Sequence, residues 1–189
     1  MTTSHDHDHG DGHDHDPACE AAHGKVTLPH DPRRLVLAFV SPVAQEIAAL
    51  ADRLGWRVTV IDPDTPRLDR DPVPYARTVT SVAGAQLDDG CDVVLCDHDR
   101  SELGDVLADV LAQPTRWVGI MGSLRHTAPH LAALRERGVD ETDIARVHRP
   151  IGLDIGSKSP AEIALSTLAG LLADRNGRAG GAFRAPAPA

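Results

Sequence analysis

A doubly wound α/β fold, a mostly parallel sheet with helices on both faces, is what this sequence predicts, and three observations predict it. Short apolar runs recur at residues 35–40, 57–61, 92–96 and 117–121, with the length and continuity of strands buried on both faces. Helix-like spacing of apolar residues follows most of these runs. Capping signals mark several of the junctions. Strands of buried type alternating with helices build right-handed βαβ units and hence a parallel sheet.

The elements follow in order. Residues 1–29 carry almost no large apolar side chain and repeat His-Asp, so they are expected to be a disordered tail. Strand 35–40 leads to Ser41 as N-cap and Pro42 at the first helical position. Ile47, Leu50, Ala51 and Leu54 then form an apolar stripe that ends at Gly55. A second strand, 57–61, closes on Asp62 and Pro63, and residues 77–80 suggest a weak third. Strand 92–96 precedes the stripe Leu103, Val106, Leu107, Val110 and Leu111; strand 117–121 precedes a helix through Leu131 and Leu134 that stops by Gly138. Ser159, Pro160 and Glu162 form a capping box, which predicts a helix carrying Ile163, Leu165, Leu168, Leu171 and Leu172. One domain, residues 30–178, is expected, followed by a second disordered tail at 179–189 made of Ala, Gly and Pro.

Composition narrows the function classes. The formal charge is -9, and residues 1–30 hold Asp6, Asp8, Asp11, Asp14, Asp16 and Glu20 against Lys25 alone. No basic stripe exists to track a phosphate backbone, which disfavours nucleic acid and anionic membranes as partners. Cys19, Cys91 and Cys96 cannot build a disulfide framework, and no two of them make a CxxC pair. With no stretch long and apolar enough to span a bilayer, a cytoplasmic protein is expected.

In a doubly wound fold, ligands sit beyond the carboxyl ends of the strands, where strand order reverses. That rule selects the turns at Val40-Ser41-Pro42, Asp97-His98-Asp99 and Gly122-Ser123-Leu124-Arg125, together with the loop 152–156 if it folds back over the same edge. In that loop Gly152 and Gly156 bracket Asp154, a pattern for a tight turn that presents a carboxylate or amides to a ligand; a helix cap is the structural alternative for Asp154. Gly122, Ser123 and Arg125 suit an oxyanion, by close backbone approach, a capping hydroxyl and a guanidinium. His98 flanked by Asp97 and Asp99 could shuttle a proton or ligate, although aspartates bonding local amides explain the pattern equally well. Cys96 could meet a soft metal, or be an inert buried thiol. His126 and His130 stand four apart, without an acid or cysteine to complete a metal set.

A dinucleotide pyrophosphate needs GxGxxG in the first βα turn, and here Phe39, Ser41 and Ala44 hold those places. Asp62 lies where a ribose-binding acid belongs. Since Phe39 and Pro42 spoil the turn, tight NAD or NADP binding is not expected. In the tail, His5, His7, His9, His13 and His15 alternate with aspartates, a ligand set competent for a divalent metal, and equally a solubilising segment.

The run HRPIGLDIGSKSPAEIA at 148–164, with WVGIMGS at 117–123, resembles the C-terminal, Rossmann-like domain of the XdhC/CoxI family, accessory proteins of xanthine dehydrogenase and related molybdenum hydroxylases. The resemblance spans roughly residues 33–177. It implies an accessory protein, non-enzymatic on balance, that binds molybdenum cofactor and assists its maturation or insertion into a molybdenum hydroxylase apoenzyme. It also implies cofactor contacts from Ser41, His98, Asp99, Gly122, Ser123, Arg125, Gly152, Asp154 and Gly156. Family members typically carry a further N-terminal domain, so a separate chain of that type is an expected partner, and a homodimer is open. The family turn resembling Gly-Ser-Arg-Arg-Lys is here Gly122-Ser123-Leu124-Arg125-His126, and a Thr-His-Asp sequence is here Asp97-His98-Asp99. The rival readings are a divergent NAD(P)-dependent oxidoreductase and a metal carrier acting through the histidine-rich tail.

Overall fold

A computed structural model describes residues 17–26, 32–122 and 128–181. The chain divides into two compact units, Met1–Asp31 and Pro32–Ala189. In the first, helix α1 (Pro17–Ala22) stands inside the segment expected to hold no ordered element. Its proline and alanines explain it, because proline suits a first helical turn and alanine is the best helix former. The chain leaves α1 through Gly24, at φ 68, whose amide donates to Ala21 O.

The second unit is built on six strands: β1 (Arg34–Ala38), β2 (Arg57–Ile61), β3 (Ala76–Val79), β4 (Cys91–Leu95), β5 (Trp117–Ile120) and β6 (Val147–His148). Their order is β3-β2-β1-β4-β5-β6, with every neighbouring pair parallel. The order reverses between β1 and β4, as the doubly wound expectation requires. The two-residue β6, which pairs Val118 with Val147 and Gly119 with His148, carries no pattern of its own in the sequence.

Alternation along β1 sends Leu35 and Leu37 to one face and Val36 and Ala38 to the other. The first face is covered by α2 (Pro42–Arg53) and α8 (Pro160–Arg175), which pack side by side and contribute Ile47, Ala48, Ala51, Ala164, Leu168 and Leu171. The second face is covered by α4 (Val82–Ala85), α5 (Leu103–Leu111), α6 (Pro129–Glu136) and α7 (Glu141–Ile144), through Val82, Leu107, Leu134 and Ile144. Each fully buried Leu or Ile contributes about 1.5–3 kcal/mol. Helix α3 (Thr65–Arg70) buries no residue.

Two expected core positions turn out exposed. In α8 the sheet-facing row is Ala164, Leu168 and Leu171, at helical spacing, which leaves Leu165 beside it at 56% exposure. In α2 the buried row is Ala44, Ile47, Ala48 and Ala51, and Leu54 falls past the last helical turn.

Asp92, fully buried near the start of β4, accepts from Arg116 and from Arg175 Nε at 2.7 Å, and Arg175 also donates to Gly90 O. These bonds hold the last turn of α8 at the amino ends of the strands. The 16 residues of α8 rise about 24 Å, so its amino end reaches the opposite, carboxyl side of the sheet.

Candidate functional site

At that carboxyl side lies a cavity of about 730 Å³, bounded by the ends of β4 and β5, the loop 150–157 and the first turns of α8. Cys96, Asp97 and His98 continue β4; Met121 and Gly122 continue β5; Ile163, Ser166 and Thr167 come from α8. Gly152, Asp154 and Gly156 line it as well, so the loop does fold back over the strand ends. The volume lies in the range typical of small-molecule sites, about 300–1,000 Å³.

The loop is fixed by its contact with α8. Leu153 donates its amide to Ser166 O at 3.2 Å and accepts from Ser166 Oγ at 2.6 Å. Gly152 has φ +84, and a Cβ there would stand 2.5 Å from Ser166 Oγ and 3.0 Å from Ser166 C. A Cβ on Gly170 would in turn come within 2.8 Å of Gly152 Cα. The two glycines therefore let loop and helix touch along their backbones. Gly156, at φ +70, has nothing near its Cβ position and serves the turn alone.

Asp154 is exposed, and among the described residues its carboxylate makes no hydrogen bond or ion pair. Ser159, not Asp154, caps α8, accepting from Glu162 N at 3.3 Å while Glu162 Oε2 accepts from Ser159 N at 3.1 Å. The cap alternative for Asp154 is thus removed. Asp97 is half-buried, and its Oδ1 accepts from Asp99 N at 3.0 Å, a local turn that fixes the carboxylate. His98 lines the cavity, with Nε2 3.6 Å from Asp99 Oδ1. Burial pushes the Cys96 thiol pKa up, and neighbouring Asp97 adds to the rise, so Cys96 is a protonated wall group, not a thiolate ligand.

Several expected contacts stand elsewhere. Ser41 is not in the cavity; its Oγ accepts from Ala44 N at 3.1 Å and caps α2. Asp99 faces a shallower depression with Arg100, Ser101 and Arg137. His148, at the start of the signature run and not among the expected contacts, stacks on Trp117 with ring centroids 5.0 Å apart and planes at 11°. Ser123, Arg125 and His126 lie outside the described residues, as do His5, His7, His9, His13 and His15. Helix α6 opens at Pro129, so His130 stands in its first turn and His126 precedes it. Among the described residues no group of three His, Cys, Asp or Glu could hold a metal.

The β1–α2 turn is closed. Phe39 takes φ +74, a conformation that favours glycine, and its ring is fully buried beneath the Arg100 guanidinium at 4.9 Å. Asp62, at the position where a ribose-binding acid would belong, is also fully buried; it accepts from Val40 N at 2.9 Å, Asp64 N at 3.0 Å and both terminal nitrogens of Arg100. The arginine satisfies the acid, so no acceptor is left for a ribose. Burial alone would lower the Arg100 pKa; its bonds to Asp62 and Glu102 outweigh this and raise it. The same arginine holds the Glu102 carboxyl down at about 2.

Residues missed by sequence reasoning are the cavity walls Met121, Ile151 and Ile163, the loop anchor Ser166, and Arg149. The Arg149 guanidinium packs on Gly122, where a Cβ would stand 2.6 Å from Nε. Polar Ser166 and Thr167 inside the apolar stripe of α8 were the available signal. Nothing local marked Arg149, because its proximity to Gly122 is tertiary.

Residues 35–171 match the family model of the XdhC Rossmann domain. The chain is 34% identical over 158 residues to the uncharacterized protein YqeB of Escherichia coli K12, covering 81% of this chain and 29% of that one. It also resembles, at a TM-score of 0.64 and 20% identity, a crystal structure described as a xanthine dehydrogenase from Bacillus halodurans, over 77% of this chain and 45% of that one. This second likeness is one of fold. The chain thus spans less than half the length of either protein. With the family match running from β1 into α8 and enclosing the cavity's strand ends and loop, the chain belongs to the XdhC family by its Rossmann domain.

Proposed function

We propose that this chain is an accessory protein that binds molybdenum cofactor in the strand-end cavity and assists its maturation or insertion into a xanthine dehydrogenase-type molybdenum hydroxylase. The observation that carries the reading is the loop 152–156 folded over the carboxyl ends of β4 and β5, enclosing about 730 Å³ beside the first turns of α8. That space suits a pterin bearing a fused ring and a phosphate. Its apolar walls, Met121, Ile151, Leu153 and Ile163, suit a flat heterocycle. Arg149, packed on Gly122, places a guanidinium just past the end of β5, and the phosphate is assigned to that side.

The closed β1–α2 turn and the occupied Asp62 disfavour an NAD(P)-dependent oxidoreductase. The apoenzyme of a molybdenum hydroxylase is the proposed client, and a separate chain with the family's other domain the proposed second partner. A divalent metal on the histidine-rich tail would be a separate activity.

Mass spectrometry and molybdenum analysis of the full chain, purified from a host that makes the cofactor, test the reading. A co-purifying molybdopterin species is expected. Arg125→Ala should weaken its binding roughly 10- to 150-fold, the loss of one charge-assisted hydrogen bond, with little change in unfolding. Absence of any pterin in a host that loads other molybdenum enzymes would overturn the proposal.

A further inference from the structure

The part of the cavity beside Asp97 and Asp154 is the wrong sign for an anionic group. Among the described residues the cavity's lining holds two carboxylates, Asp97 and Asp154, and no lysine or arginine. Opposite a phosphate these groups would repel; opposite N–H donors they accept. A metal cation would satisfy them only with a fuller ligand set, and among the described residues none exists. The walls are apolar and include a thioether, Met121, beside Ile151 and Ile163. An aromatic ring with an N–H-donating edge fits both features.

Of the two carboxylates, Asp97 is the preorganised one. It follows directly on β4, is half-buried, and is oriented by the Asp99 amide on Oδ1. Only one of its roughly four acceptor positions is used, and among the described residues Oδ2 has no partner. Asp154 stands on the glycine-flanked loop and is exposed. A recognition group acts best where its own neighbours fix its geometry.

We propose that Asp97 makes the cavity selective for a 2-amino-4-oxopyrimidine edge, the two adjacent N–H donors shared by pterins and guanine, which a carboxylate accepts side by side. The edge itself follows from the lining; the choice of pterin over guanine rests on the proposed function. Asp97 would be a specificity-determining residue, and the same edge would direct the rest of the ligand away from the carboxylates.

Fluorescence titration of the full-length protein tests this with 6-hydroxymethylpterin, the corresponding lumazine, in which oxo replaces the 2-amino group, and guanosine as competitor. The pterin should bind roughly 10- to 100-fold more tightly than the lumazine, since the lumazine turns an oxygen toward Asp97. Asp97→Asn keeps an acceptor for the Asp99 amide and should reduce that ratio to about twofold or less, while Asp154→Asn should preserve it. Equal binding of pterin and lumazine by the unaltered protein overturns the inference without any variant, and so does a ratio unchanged in Asp97→Asn. Guanosine competing better than the pterin, with the same dependence on Asp97, supports the edge and removes the pterin reading. Co-purification of molybdopterin without pterin–lumazine discrimination leaves the proposed function standing and sinks this inference alone.

Discussion

Arg100 donates to both carboxylate oxygens of Asp62, at 3.1 Å from Nη1 and 2.9 Å from Nη2, and lies over the buried ring of Phe39. Asp62 directly follows β2, and Arg100 reaches it across Phe39 in the turn after β1, where a doubly wound fold ordinarily takes a dinucleotide. NAD and NADP should therefore show no saturable binding in the low micromolar range by calorimetry. Tight binding would mean that Arg100 and Phe39 move aside, and would restore the oxidoreductase reading.

The same pair is a stability element. Removing one partner of a buried ion pair leaves an uncompensated charge and costs about 3–5 kcal/mol. Arg100→Ala exposes Asp62 to that penalty, and for a domain of this size the thermal midpoint should fall by about 6–20 °C. Adding Asp62→Asn to Arg100→Ala should recover part of the loss. A drop of under about 1 kcal/mol in the single variant would show that water reaches Asp62 and replaces the guanidinium.

Gly152→Ala and Gly170→Ala should each lower stability by about 1–3 kcal/mol, because the added methyl meets Ser166 or the Gly152 backbone at 2.5–3.0 Å. Gly156→Ala meets no atom and carries only the strain of a left-handed φ, so its loss should be about 1–2 kcal/mol. Urea unfolding of the three variants checks the ranking. Equal, small losses would mean that the loop relaxes away from α8.

The sequence was legible where a residue's role depends on near neighbours. The apolar runs located β1, β2, β4 and β5, and the Ser159–Glu162 box located α8, because burial and capping act within a few positions. The strand-end rule brought residues 152–156 to the cavity correctly. It did not bring Ser41 to the cavity; Ser41 Oγ instead caps α2 by accepting from Ala44 N, and the pairing of Asp62 with Arg100, 38 positions away, left no local mark. Likewise β6 exists only because β5 offers it an edge. Such roles are set by tertiary proximity, which spacing along the chain does not encode.

Buried His130 makes stability depend on pH. The residue is 3% exposed, and among the described residues its Nδ1 has no hydrogen-bond partner. Burial, and then the charge of Arg149, push its pKa below the usual 6.5. The unfolded chain therefore binds the proton first, so this contribution is fully present above pH 6.5 and is lost as pH falls from there toward the depressed value. Unfolding free energy should decline in that window, and His130→Gln should flatten the decline. Glu102, held at about 2 against an ordinary 4.5, acts in a separate window, its contribution being lost as pH falls from 4.5 through 2. An identical slope in His130→Gln between pH 7.5 and 5.5 would assign the effect to another group.

The histidine-rich segment is a test of independence between the two units. Residues 1–29 carry no periodic apolar pattern, and α1, with six residues, is too short to be stable by itself in water. Deleting residues 1–29 should leave the thermal midpoint of the Rossmann domain unchanged in metal-free buffer. It should also abolish the binding of nickel or zinc, since His5, His7, His9, His13 and His15 go with it. Both quantities are read on the same two proteins, by calorimetric unfolding and by metal titration. A lowered midpoint without metal would show that the segment packs on the domain. Metal binding that survives the deletion would place the ligands elsewhere in the chain.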